Sequence, residues 1–144
     1  MAFEAATGDG PVESGERRAA EVRVAFAGLL QIRRLTNSGA ARPESVPAAW
    51  ERARPVRAVA LALEAAGVAA SAVDAAGERT AVGYRVAAEE GGAGVRVEWT
   101  GPRGGGAAQD EERALGECAR ILVELGWDAL VYRGPRGRRF VEVR

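Results

Sequence analysis

Apolar residues recur at helical spacing as far as Gly67 and then at every second position as far as Thr100, and this switch constrains the fold most. Val22, Ala25, Phe26, Leu29 and Ile32 make one stripe at i, i+3, i+4, i+7 and i+10, which predicts a helix over Glu16–Thr36. Arg33 falls on that stripe, so its head group is expected to snorkel outward or to mark fraying. Asn37-Ser38-Gly39 stops the helix, and a connector containing Pro43 follows. Ser45 is a suitable N-cap with Pro47 in the first turn, which predicts a short helical turn over Val46–Ala53. Pro55 removes a helix hydrogen bond, so a kink is expected there, followed by a helix to Ala66. Val56, Val59, Ala60 and Leu63 form its buried face, and Gly67 stands at C′.

Beyond Gly67, Val82, Tyr84 and Val86 alternate with Gly83, Arg85 and Ala87; Val95, Val97 and Trp99 alternate with Arg96, Glu98 and Thr100. With Glu89–Gly94 between them, these runs read as an antiparallel hairpin with one face inward. Ala69–Val73 is a weaker strand, joined through Ala75–Glu78 to Arg79–Ala88. Leu115, Cys118, Leu122 and Leu125 predict a third helix over Gln109–Leu125, with Asp110, Glu111 and Glu112 in its first turn, where carboxylates favour the dipole. A last hairpin runs Asp128–Arg133, Gly134–Gly137, Arg138–Arg144. The order is ααβββαββ: an α+β fold with an N-terminal helical pair, then an antiparallel sheet of four or five strands with a helix packed on it. Leu63–Val68 and Leu122–Trp127 match without a gap, and each precedes two strand-like runs, which hints at two α-β-β units. Residues 1–15 are small, polar and acidic and are expected to be a loosely held tail to a single domain over 16–144.

Much chemistry is excluded by what is missing. There is no histidine, so the usual Ser–His and Cys–His pairs are unavailable. Cys118 is the one cysteine and lies on an apolar stripe; it reads as a packing residue, and alone it cannot assemble a zinc site or an internal disulfide. No cofactor and no metal are expected. Two carboxylate groupings, Glu89 with Glu90 and Asp110 with Glu111 and Glu112, sit where solvation or the helix dipole explains them. The loop Gly101-Pro102-Arg103-Gly104-Gly105-Gly106 precedes a helix but lacks a phosphate-binding pattern, and reads as a flexible linker. The N-terminus lacks a basic start and long apolar stretch, and no run approaches membrane-spanning length, so a cytoplasmic location without membrane contact is expected.

All twenty cationic residues are arginine and the net charge is zero, but the charges are segregated. Residues 1–16 carry a net −4, residues 17–57 +6, residues 58–132 −6 and residues 133–144 +4. The absent chemistry and the Ala-rich first helix, whose stripe offers a face for a partner, point to a non-catalytic accessory or regulatory protein. It is expected to act through contacts with a protein partner or itself, as a homo-oligomer. The alternative is a nucleic-acid-binding protein using Arg133, Arg136, Arg138 and Arg139 of the last hairpin, which Tyr132 and Phe140 flank. Arg33, Arg34, Arg52, Arg54 and Arg57 join them in that reading if the two basic blocks meet in space.

Overall fold

Helix α1 spans Glu16–Thr36, the predicted bounds. Its Val22 and Leu29 are buried with Leu61, and half-buried Phe26 packs against them. The stripe offered to a partner is therefore consumed by the protein's own core; only Ile32, at its end, stays 40% exposed. Arg33 neither snorkels nor marks fraying, being 1% exposed within the intact helix. The coordinates are a computed structural model describing residues 3–11, 13–92 and 94–144. Met1, Ala2 and Val12 of the expected tail, and Ala93 of the hairpin linker, lie outside the described residues.

A 3-10 turn, Pro43–Ser45, precedes the short α2, Ala49–Ala53. The N-cap is Ala48 rather than Ser45, and Pro47 lies before the helix. Ala48 has no capping side chain, but the Glu51 carboxylate reaches back and accepts the Ala48 N–H at 2.9 Å, half of a capping box. Helix α3, Pro55–Ala65, starts at the expected proline. All six residues from Ala58 to Leu63 are buried, because α1 covers α3 on one side and the sheet covers it on the other.

Both long core helices end in the same device. After α3, the Gly67 N–H donates to Glu64 O and the Val68 N–H to Leu63 O, each at 3.1 Å. After α4, Ala107–Glu124, Gly126 donates to Val123 O and Trp127 to Leu122 O, each at 3.0 Å. These are two Schellman caps, each with glycine at positive φ and an apolar residue after it. The matched Leu…Gly segments are accounted for by this shared cap.

Strands β1 (Ala72–Val73) and β2 (Arg79–Ala81) pair as a separate two-stranded ribbon. The main antiparallel sheet has four strands, β3 (Gly83–Ala88), β4 (Val95–Thr100), β5 (Ala129–Arg133) and β6 (Arg139–Val143), in the order β3-β4-β6-β5. Helix–hairpin order thus occurs twice, but the two hairpins enter different sheets. Tyr84, Val86, Val95, Val97, Val141 and Val143 form the inner face, under α3 and α4.

Residues 3–11, expected to be loosely held, lie along the outer edge of β3. The Val86 N–H donates to Thr7 O at 2.8 Å and the Tyr84 hydroxyl to Ala6 O at 2.8 Å. Gly8, at φ +99°, lies so flat on β3 that a Cβ there would overlap Tyr84 O. Beside it, Tyr84 exchanges backbone bonds with Ala69 and Ser71. No strong apolar pattern marks the arm, because backbone groups and Arg79, Arg18 and Arg57 hold it.

Candidate interaction surface

The four arginines singled out on the last hairpin divide into two pairs. Helix α4 starts two residues earlier than predicted, which leaves Asp110 alone in its first turn and turns Glu111 inward, 5% exposed. Glu111 accepts the Arg139 backbone N–H at 2.8 Å, lies 3.5 Å from Arg138 Nε, and is 3.9 Å from Arg139 Nη1. Glu112 lies 3.4 Å from Arg139 as well. Arg138 and Arg139 therefore fasten the hairpin to α4. Arg133 and Arg136 are exposed and have no ion-pair partner among the described residues. Arg136 also holds a left-handed backbone, φ 65°, that asparagine or glycine adopts more easily.

Arg33, Arg34 and Arg52 of the N-terminal basic block do not join them. Arg33 is buried against Glu51 and donates to Leu125 O at the C-terminal end of α4. Arg34 pairs with Glu44, and Arg52 lies over the Trp127 ring. Glu111, which anchors the hairpin, stands near the other end of α4. An 18-residue helix is about 27 Å long, so Arg33, Arg34 and Arg52 do not share a site with Arg138 and Arg139. Arg57 donates to Phe3 O, on the N-terminal arm.

The outer sheet face carries a charged half and an apolar half. Arg85 bridges Asp9 and Glu98 at 3.0 and 3.1 Å. Arg96 lies near Glu89 and stacks over Phe140 at 3.7 Å; Phe140 in turn stacks on Tyr132, with ring centroids 5.8 Å apart. Leu130, on the same face of β5 as Tyr132, is 55% exposed. Salt pairing occupies the β3–β4 part of this face, and its aromatic half belongs to the hairpin.

Beyond that face lies an open edge. Asp128 and Arg144 exchange backbone bonds at 3.0 and 2.8 Å, and Gly134 donates to Arg138 O. Continued through the β5–β6 register, this pattern points the backbone groups of Leu130 and Tyr132 at β6 and those of Ala129, Val131 and Arg133 away from the sheet. No strand among the described residues pairs with them. Leu130, Val131 and Tyr132 are 55%, 42% and 43% exposed. The sheet's two ends are thus treated oppositely: chain covers β3, and nothing among the described residues covers β5. An uncovered apolar edge is a template for further strand pairing.

Reactive groups elsewhere have structural partners. Burial pushes the Cys118 thiol up to about 12, which removes the thiolate from neutral solution. The Tyr84 phenol is also raised by burial, and donates to Ala6 O and Ala60 O. Glu89 faces Arg96, and Glu111 holds the hairpin. Beside the Gly101–Gly106 loop, Arg138 donates to Trp99 O at 3.2 Å. Among the described residues no group of three or more metal-ligating side chains is gathered, and no helix is long and apolar enough to cross a membrane. Comparison with protein-family models, with curated proteins and with solved structures returns no match.

Proposed function

We propose that this chain is a non-catalytic accessory or regulatory protein of the cytoplasm that works through protein–protein contacts. One observation carries the reading: at the edge opposite the one the N-terminal arm covers, β5 presents backbone groups unpaired among the described residues and three exposed apolar side chains. Strand addition to such an edge obtains affinity from main-chain hydrogen bonds and selectivity from alternate side chains. The assignments of Cys118 to the core and Glu111 to the hairpin support a role without chemistry. A photo-crosslinking residue placed at Tyr132 in the cells that make the protein tests it. Polypeptide adducts at that position are expected; irradiation that yields none removes the reading.

A second reading, nucleic-acid binding, is favoured by Arg133 and Arg136, exposed and without an ion-pair partner among the described residues, on the hairpin that carries the Tyr132–Phe140 stack. With Arg138 and Arg139 occupied by Glu111 and Glu112, it rests on two phosphate contacts rather than four. Anisotropy titrations at several salt concentrations should then give a log–log slope near two, roughly one unit per phosphate. Absence of binding to duplex and single strand at low salt eliminates it.

A further inference from the structure

We propose that the occupant of the β5 edge is a second copy of this chain, paired antiparallel through β5 with Val131 opposite Val131; this rests on the protein-contact reading above. Three features specify the partner. First, the outward backbone groups belong to Ala129, Val131 and Arg133, a set symmetric about Val131. A two-fold axis normal to the sheet sets Ala129 opposite the other copy's Arg133 and gives about six N–H···O bonds. Second, the side chains match: Leu130 falls opposite Tyr132 of the other copy on the outer face, an apolar pair at each end of the dyad.

Third, the edge is charged in opposite senses at its two ends. Exposed Asp128 stands just before β5, and exposed Arg133 and Arg136 stand at its far end. Antiparallel self-pairing sets the Asp128 end of each edge against the end of the other copy that carries Arg133 and Arg136, whereas parallel pairing sets like-charged ends together. Association also stops at two. Among the described residues each four-stranded sheet has one open edge, β3 being covered by the N-terminal arm and by residues 69–71, so the contact closes on itself.

Sedimentation velocity of the full chain, from low micromolar to near-millimolar concentration, tests this with three variants. The wild-type mass is expected to rise from one chain to two and to stop there. Asp128→Arg, an exposed change that spares the core, should weaken association by about tenfold or more. Combining Asp128→Arg with Arg133→Asp and Arg136→Asp reverses the charges and should restore it. Val131→Pro removes an outward N–H without touching the bonds to β6 and should abolish it. A mass of one chain at every concentration overturns the proposal, as does growth beyond two chains. A dimer unaffected by both Asp128→Arg and Val131→Pro overturns it too. Adducts at position 132 formed only with other polypeptides sink the self-pairing and leave the protein-contact reading standing.

Discussion

Arg33 and Glu51 form a two-pronged ion pair in the interior, with Nε to Oε2 at 2.8 Å and Nη2 to Oε1 at 2.7 Å. Their side chains are 1% and 0% exposed. The remaining guanidinium nitrogen, Nη1, donates to Glu44 O and Leu125 O, while Glu51 also accepts the Ala48 N–H. One arginine thereby ties α1, the Pro43–Ser45 turn, α2 and the carbonyl end of α4 together, and its charge is favourable against the α4 dipole. Burying two charges is tolerable here because nearly every donor and acceptor is used.

Removing one member of this pair strands the other. Arg33→Met should cost about 3–5 kcal/mol in urea unfolding. Adding Glu51→Leu to it should recover part of that loss, since the orphaned carboxylate goes. If the double variant is less stable than Arg33→Met alone, the pair is not the source of the cost.

Two glycines with the same backbone separate conformational strain from close approach. Gly67 and Gly126 have φ +87° and +88°, but a Cβ meets nothing at Gly67 and overlaps Ser45 O at Gly126. Gly67→Ala is expected to cost about 1 kcal/mol for the left-handed backbone. Gly126→Ala should cost more than about 2 kcal/mol, because α4's end must also move off the Ser45 turn. Equal losses in thermal or urea melts would deny that contact.

The buried thiol links stability to alkaline pH. Cys118 ionises at about 12 in the folded protein against 9.0 ordinarily, so the folded state holds its proton more tightly than the unfolded chain does. Its contribution is fully present below pH 9 and is lost as pH rises towards 12. Cys118→Ala should flatten that decline. A thiol reagent at pH 8 should react with the wild type only after unfolding; prompt reaction of the native protein would contradict the burial.

Tyr84 reports on the N-terminal arm. Its hydroxyl donates to Ala6 O and Ala60 O, joining the arm to α3 across β3. Tyr84→Phe should cost about 1–2 kcal/mol and make residues 3–11 more susceptible to limited proteolysis. Unchanged cleavage would show that the arm is held without it.

Periodicity revealed the long elements because their burial is one-sided. The stripe of α1, the alternation in β3 and β4, and glycine after α3 and α4 each reflect a local rule. The burial of Arg33 and Glu111 is not legible in sequence because nothing local marks a charge whose partner is remote: Arg33 meets Glu51 and Leu125, and Glu111 meets Arg139. The docking of the arm carries no sequence signal because backbone pairing leaves no side-chain pattern. Sequence places the four hairpin arginines on one turn, but only packing against α4 distinguishes Arg138 and Arg139 from Arg133 and Arg136. The β5 edge was hidden for a related reason, since strand order depends on how the hairpins assemble.

Amide hydrogen exchange across β5, read residue by residue at rising protein concentration, tests its contact role most directly. Leu130 and Tyr132, bonded to β6, should be protected throughout. The amides of Val131 and Arg133, which face outward, should exchange fast when dilute and become protected as concentration rises. Fast exchange at both positions at every concentration, with Leu130 and Tyr132 still protected, would contradict a working β5 edge between copies of this chain.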